Sequence, residues 1–243
     1  MPWACTEPST KEMAMQPIPV LAPFQLWRGS LDSNPDESAI QELSASERAR
    51  AARFVFERDR RRYLSAHDQL RRVLAGATGL SAAALRYREG THGKPYLDHD
   101  QVTLAFNMSH SQDTVVIALR PSGEIGVDVE MLRPMSDVTE LAARNFTPAE
   151  RAQLARTPPA ERDAIFLRGW TRKEACLKAL GSGLSVAPDS FHVGLEPDER
   201  VTQLCWNGQI ISVRVWSLLL DETTLCALAH VVESTRTPPA MRA

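Results

Sequence analysis

The chain has 243 residues, of which 43% are hydrophobic and 24% charged, and its formal net charge is −2. These values exclude an intrinsically disordered chain and are typical of a globular protein with a sizeable core. The longest apolar runs, such as Val215–Leu220, are far shorter than the roughly 20 residues of a membrane-spanning helix. No signal peptide is visible, and the four cysteines lack metal-type spacing. We expect a cytoplasmic protein with reduced thiols that binds no membrane.

Residues 1–23 contain five prolines and little periodicity, which predicts a loose N-terminal arm. Residues 234–243 are predicted to be a frayed tail. Hydrophobic periodicity predicts the helices, which are Ser44–Arg53, Arg58–Ala75, Thr139–Arg144, Pro148–Ala155 and Asp163–Leu180. Apolar and β-branched runs predict the strands, which are Leu85–Glu89, Val102–Phe106, Thr114–Leu119, Ile125–Val129, Phe191–Gly194, Ile210–Leu218 and Leu225–Val232.

A weak internal repeat runs through these elements. The segment Leu43-Ser-Ala-Ser-Glu-Arg recurs as Phe146-Thr-Pro-Ala-Glu-Arg, and each copy precedes a long helix that ends in a glycine-containing turn. The ordered repeat predicts an α+β fold of two similar, pseudo-symmetric subdomains, residues 24–121 and 122–233, each a small antiparallel sheet packed with helices. A binding site is expected between them.

Charge is distributed unevenly between the two halves. Residues 41–98 contain 12 Arg and Lys but only 7 Asp and Glu, so the rest of the chain is acidic. This asymmetry indicates either a phosphate-rich ligand on one side and a metal on the other, or simply solvated helix faces. An arginine-rich nucleic-acid binder is a further alternative. We expect no nucleic-acid partner, because neither stacking aromatics nor a groove-reading helix is evident.

Three carboxylates could form a metal site. Asp128 and Glu130 lie at alternate positions of one predicted strand, so they point to the same side, about 6.5–7 Å apart. Hard oxygen ligands of this kind suit Mg²⁺, although a solvated strand face would have the same pattern. Glu174 and Lys178 meet on one helix face. They form either a surface salt bridge or a third metal ligand next to a phosphate-binding lysine.

Two further segments could bind an anion. Ser109 and His110 are predicted at the end of a strand, where both can donate hydrogen bonds. They are not a hydrolase pair, because G-x-S-x-G is absent. Lys94 lies in a Gly-Lys-Pro turn, which either presents a cation or is only a hairpin.

The motifs G-K-P, F-N-x-S-H-S, G-V-D-V-E, F-T-x-x-E and W-x-x-K-E-A-x-x-K occur in this order. The order resembles the surfactin-type 4′-phosphopantetheinyl transferases, over nearly all of the chain from Leu43 to His230. The resemblance implies that a carrier-protein serine attacks the β-phosphate of coenzyme A, with Mg²⁺, and that 3′,5′-ADP leaves. It also implies acyl or peptidyl carrier proteins as partners and a monomeric enzyme of the polyketide and peptide synthetase branch. A member that binds carrier protein without catalysis is the alternative, although the motif residues for catalysis are present.

The resemblance also implies roles for single residues. Asp128, Glu130 and Glu174 would bind the metal, and Lys178 the transferring phosphate. Other residues would contact coenzyme A, namely Ser109, His110, Lys94, Arg48 and Arg50. Arg50 lies where the family pattern has a lysine that faces the 3′-phosphate. Glu47 departs from the pattern, which has a further lysine there, and Arg48 would take the place of that lysine. Glu150 would be a general base, but Thr147-Pro-Ala-Glu150 also fits a helix capping box. The implied catalytic set is therefore Glu150, Glu174 and Lys178.

Overall fold

A computed structural model describes residues 15–232 of the chain. Six α-helices lie within this range: α1 Glu37–Glu42, α2 Ala45–Ala51, α3 Glu57–Thr78, α4 Val138–Asn145, α5 Pro148–Arg156 and α6 Arg162–Leu180. The strands of the first half are β1 Gln16–Ile18, β2 Gln25–Ser30, β3 Tyr87–Glu89, β4 Pro95–Leu97, β5 Ala105–Ser111 and β6 Thr114–Arg120. Those of the second half are β7 Ile125–Met131, β8 Arg200–Trp206, β9 Gln209–Asp221 and β10 Thr224–Val231.

The strands form two antiparallel four-stranded sheets, one in each half. The first sheet has the order β1-β2-β6-β5, and the second has the order β7-β10-β9-β8. Strands β3 and β4 form a separate hairpin. The predicted α+β fold with two sheet-and-helix subdomains is confirmed.

The two sheets pack face to face, and one long helix covers each outer face. Val115, Ile117 and Leu119 of β6 pack against α3, whereas Val116 and Ala118 pack against the second sheet. Strand β6 is apolar at consecutive positions because both of its faces are buried. Helix α6 packs on β9 and β10 in the same way. The result is four layers, ordered α3, first sheet, second sheet and α6.

The helices of the two halves begin and end in the same way. Helices α2 and α5 each begin with a capping box, formed by Ser44 with Glu47 and by Thr147 with Glu150. Helices α3 and α6 each end at a glycine in the left-handed region, Gly79 with φ 74° and Gly181 with φ 66°.

Some local predictions were wrong. The described part of the predicted loose arm contains β1, which pairs with β2. Phe191–Gly194 is irregular, because its backbone bonds to side chains of α5 and α6 instead of a strand. The strand predicted over Val102–Phe106 lies further along, at Ala105–Ser111, and therefore includes the Ser-His pair. Residues 1–14 and the predicted tail 234–243 lie outside the described range. No helix within residues 15–232 is long and apolar enough to cross a membrane.

Candidate active site

The candidate site lies at the seam where β5 and β7, the edge strands of the two sheets, run side by side. Side chains join them. The Asn107 side-chain oxygen accepts a hydrogen bond from the Val127 amide at 2.9 Å, and Ser109 Oγ donates to Asp128 Oδ1 at 2.8 Å. Ser111 Oγ donates to Glu130 Oε2 at 3.1 Å. Polar side chains at alternate positions of β5 therefore attach the first half to the carboxylates of the second.

Helix α6 contributes the cation of this cluster. Lys178 Nζ lies 2.6 Å from Asp128 Oδ1 and 2.9 Å from Ser109 Oγ. Asp128 is buried, while the Lys178 side chain retains 30% exposure, so the ammonium group can be reached from solvent. Ser109 of the first half therefore contacts both Asp128 and Lys178 of the second half.

Gly126 explains how α6 comes so close to β7. A β carbon at this position would lie 2.1 Å from the Ala175 carbonyl oxygen and 2.3 Å from the Ala179 amide nitrogen. Only glycine leaves room for the helix backbone at this distance. The glycine of G-V-D-V-E therefore places Glu174 and Lys178 beside Asp128.

The carboxylates at the seam destabilise one another's ionised forms. Burial raises the pKa of Asp128, Glu130 raises it further, and Lys178 and Ser109 oppose this. Burial also raises the pKa of Glu174, and Asp128 and Glu130 add to that rise while Lys178 counteracts it. The site therefore holds more negative charge than its single lysine compensates.

This donor set fits Mg²⁺ by its chemistry, because it offers carboxylate oxygens whose repulsion a cation would relieve. Within residues 15–232, no three Asp, Glu, His or Cys side chains are grouped closely enough to enclose an ion. Glu130 is also held by Arg133 at 2.8 Å. Metal binding by Asp128, Glu130 and Glu174 therefore remains a prediction.

A cavity of about 260 Å³ opens beside this cluster and is lined by Lys94, Asn107, Glu174, Lys178 and Leu184, among others. His110, which follows Ser109 on β5, is exposed. Partial burial of its ring lowers the pKa of His110, and the positive charges of Lys178 and Arg62 lower it further. A larger cavity of about 890 Å³ lies between β2 and α3, away from these residues.

Lys94 does not have the surroundings of a phosphate ligand. Its buried ammonium group contacts Glu124 Oε2 at 2.6 Å, the Ile125 carbonyl at 3.0 Å and the Ala179 carbonyl at 2.8 Å. All three donors are used within the protein. Lys94 therefore joins the β3–β4 turn to β7 and α6, and the coenzyme A contact that the resemblance implies stays a prediction.

Glu150 is likewise a structural residue in this conformation. It is fully buried, with Oε2 2.8 Å from Lys173 Nζ and Oε1 accepting from the Val193 amide at 2.8 Å. Thr147 closes the capping box. Burial raises the pKa of Glu150, but Lys173 and these hydrogen bonds outweigh it and lower the pKa. In this conformation the buried, ion-paired carboxylate has no direct access to a substrate proton, and the general-base role of Glu150 stays a prediction.

The two arginines predicted to bind the 3′-phosphate differ in availability. Arg48 donates to the carbonyl oxygens of Leu43 and Gln41, which caps the end of α1. Arg50 is exposed, and its guanidinium lies 5.7 Å from the centroid of the Tyr63 ring. Arg50 is thus the more available of the two.

Glu47, which replaces a lysine of the family pattern, anchors an internal network. Its oxygens bind buried Arg71 at 2.6 Å and His67 Nδ1 at 2.8 Å. Burial raises the pKa of Glu47, but the hydrogen bonds from His67, Arg71 and Ser44 outweigh it and lower the pKa to about 2. His67, which occupies in α3 the place that Glu174 has in α6, is held in this network by its hydrogen bond with Glu47.

Sequence reasoning missed some residues of the site. Asn107 and Ser111 were left without roles, although their alternation with Ser109 on a strand was a usable signal. The position of Arg62 near His110 depends on how α3 packs, and no local pattern indicates it.

Comparison with known proteins agrees with this geometry. A family model described as the 4′-phosphopantetheinyl transferase superfamily matches residues 124–229, and one described as the N-terminal region of a 4′-phosphopantetheinyl transferase matches residues 27–122. The chain is 37% identical over 213 residues to the 4′-phosphopantetheinyl transferase HetI of Nostoc, covering 84% of this chain and 86% of that protein. The chain belongs to the 4′-phosphopantetheinyl transferase superfamily.

Relatives from Bacillus subtilis support the same membership. One 4′-phosphopantetheinyl transferase is 32% identical over 172 residues, covering 71% of this chain and 75% of that protein. The 4′-phosphopantetheinyl transferase Sfp of Bacillus subtilis strain 168 is 31% identical over 172 residues, which again covers 71% of this chain and 75% of that protein. The predicted family and the predicted transferase class of this phosphopantetheinyl transferase are confirmed.

Proposed function

We propose that this phosphopantetheinyl transferase moves the 4′-phosphopantetheine group of coenzyme A to a serine of an acyl or peptidyl carrier protein, with Mg²⁺, and releases 3′,5′-ADP. The observation that carries the proposal is the contact of Lys178 with Asp128 and Ser109 at the seam between the halves. There the polar side chains of the first half meet the carboxylates and the lysine of the second.

Phosphoryl transfer depends mainly on positioning and on neutralising charge. Lys178, as a solvent-accessible point charge, would stabilise the negative oxygens of the transferring phosphate. His110, on the surface beside it, would donate a hydrogen bond to the same group. Mg²⁺, held by Asp128, Glu130 and Glu174, would neutralise both the pyrophosphate and the three carboxylates.

The serine hydroxyl must lose its proton as it attacks. Glu174 fits this role better than Glu150, because it lines the cavity and is only partly buried. A carboxylate has two oxygens, so one oxygen of Glu174 could bind the metal while the other accepts the proton.

We further propose that the enzyme acts as a monomer in the cytoplasm. One chain supplies the site from both of its halves. Cys176, Cys205 and Cys226, the cysteines within the described range, are free, as is usual in a reducing compartment.

The test is incubation of the protein with coenzyme A, Mg²⁺ and an apo acyl carrier protein or an apo peptidyl carrier domain. We expect a phosphopantetheine mass increase on the carrier that disappears when its acceptor serine is replaced by alanine or when EDTA is added. Carrier binding without any mass increase would show a non-catalytic member and overturn the proposal.

Two substitutions assign the carboxylates. Asp128→Asn and Glu174→Gln should each abolish nearly all transfer, whereas Glu140→Gln, at an exposed position on α4, should not. Circular dichroism of each variant checks that the fold is intact. Full transfer by either seam variant in saturating Mg²⁺ would refute the three-carboxylate site.

A further inference from the structure

The turn between α2 and α3 carries an exposed apolar patch, formed by Phe54, Val55 and Phe56. Their exposed fractions are 38%, 88% and 67%. Every residue from Ala52 to Arg58 is exposed, so the surrounding chain does not cover these side chains. Consecutive large apolar residues on a surface are typical of an interaction site.

The patch adjoins a predicted coenzyme A contact through a row of aromatic rings. The Phe54 ring lies 5.3 Å from the Tyr63 ring, and the Tyr63 ring lies 4.1 Å from that of His67. The Arg50 guanidinium lies 5.7 Å from the centroid of the same Tyr63 ring. The patch is therefore beside Arg50, the exposed arginine predicted to bind coenzyme A.

The shape of the patch favours a macromolecule over a small ligand. Small-molecule sites are concave and enclose most of the ligand. Val55 and Phe56 project outwards with most of their surface free. Such side chains suit insertion into the surface of a second protein, where an apolar centre is surrounded by a polar rim.

The charged residues around the patch indicate the charge of the partner's surface. Residues 53–62 contain five arginines and two acidic residues. Arg58 pairs with Asp59, Arg60 pairs with Glu57, and Arg61 and Arg62 share Asp32, so the segment beside the patch keeps a net positive charge. A basic rim favours a protein with acidic residues around an apolar contact.

We infer that Phe54, Val55 and Phe56 are a docking surface for the carrier protein, which meets them with an acidic face that bears apolar side chains. The inference rests on the proposed function, because it assigns the patch to that reaction's protein substrate. Docking at this point would bring the carrier protein beside Arg50, which is predicted to bind the other substrate, coenzyme A.

The test measures initial rates with varied apo acyl carrier protein at saturating coenzyme A, and then with the two roles exchanged. Val55→Asp and Phe56→Asp should each raise the KM for the carrier protein by about tenfold or more, because a charge replaces an apolar contact beneath an acidic partner. The kcat and the KM for coenzyme A should stay within twofold of the wild type. Ile210→Asp and Leu219→Asp, at exposed positions of β9, are the matched controls and should change nothing.

Three outcomes separate the possibilities. An unchanged KM for the carrier overturns the inference and leaves the proposed function standing. A raised KM for coenzyme A alone also overturns it and assigns the patch to that ligand. If the wild type modifies no carrier at all, the proposed function fails and the inference fails with it. Should the apolar variants unfold, Arg53→Glu is expected to raise the same KM with the fold intact, and an unchanged value would count against the docking surface.

Discussion

Gly126 of β7 lies directly against the backbone of Ala175 in α6, so close that a β carbon would come within 2.1 Å of the Ala175 carbonyl oxygen. Both groups belong to regular elements, and neither can move aside as a flexible side chain could. The spacing of this helix and strand fixes where Lys178 meets Asp128. A residue without a side chain therefore controls the geometry of the candidate active site.

Replacing Gly126 with alanine should displace α6 from β7. We expect a loss of about 1–3 kcal/mol in the free energy of unfolding, as for other overpacked sites, together with a large loss of transfer. Denaturant titration and the carrier mass assay measure the two effects. Gly76→Ala is the control, because a β carbon there meets nothing within 4 Å. This substitution should leave the free energy of unfolding unchanged or raise it by about 0.5–1 kcal/mol. Wild-type stability and activity in Gly126→Ala would show that the helix is free to shift.

Lys178→Ala should lower kcat by orders of magnitude, because a cation on the transferring phosphate acts mainly in the transition state. It should also lower thermal stability, because it leaves the buried Asp128 carboxylate without its cation. A lysine that only paired with Asp128 would lower thermal stability and leave turnover unchanged. Steady-state kinetics and thermal denaturation on the same samples distinguish these roles.

Lys94 and Lys173 should not tolerate arginine. Each buried ammonium group binds one carboxylate and two backbone carbonyls, those of Ile125 and Ala179 for Lys94 and those of Pro188 and Phe191 for Lys173. A planar guanidinium has the same charge but does not fit a compact group of three acceptors. We expect Lys94→Arg and Lys173→Arg each to lower the free energy of unfolding by about 2 kcal/mol or more. If Lys94 instead served coenzyme A, its arginine variant would keep its stability and change only the KM for that substrate.

Arg50→Ala should weaken recognition of the 3′-phosphate. The side chain is exposed and can form two parallel hydrogen bonds with a phosphate. A residue that binds only this remote group affects binding more than chemistry. The KM for coenzyme A should therefore rise, while that for dephospho-coenzyme A should not. A parallel rise for both substrates would place Arg50 elsewhere on the ligand.

Glu47 should make stability depend on pH at the acidic end. Its folded pKa is about 2, below the ordinary value of 4.5, so the ionised form stabilises the fold above pH 4.5 and this contribution is lost as the pH falls towards 2. Glu47→Gln should be less stable than the wild type at pH 7, and the difference should shrink between pH 4.5 and pH 2. Denaturant titrations across this range test the expectation. Glu89→Gln, an exposed control, should follow the wild-type curve.

Local sequence patterns predicted the long helices and most strands, because α3 and α6 have sustained periodicity and defined ends. The strands β1, β2, β4 and β8 were missed, since each is stabilised by its partner strands and not by its own composition, and the short helix α1 was missed as well. In the site, the alternation in G-V-D-V-E correctly placed Asp128 and Glu130 opposite the packed valines. The burial of Lys94 could not be predicted, because its acceptors come from Glu124 and Ala179, distant in sequence.

The turn between the two sheets has a practical consequence. Pro121, Ser122 and Gly123 are exposed, and the halves are aligned across the seam by the side chains of Asn107, Ser109 and Ser111. Exposed turns of this kind are where chains best accept insertions or breaks. The enzyme can thus be engineered as two polypeptides joined only by their interface, and one half could then carry isotopic labels while the other stays silent in NMR spectra.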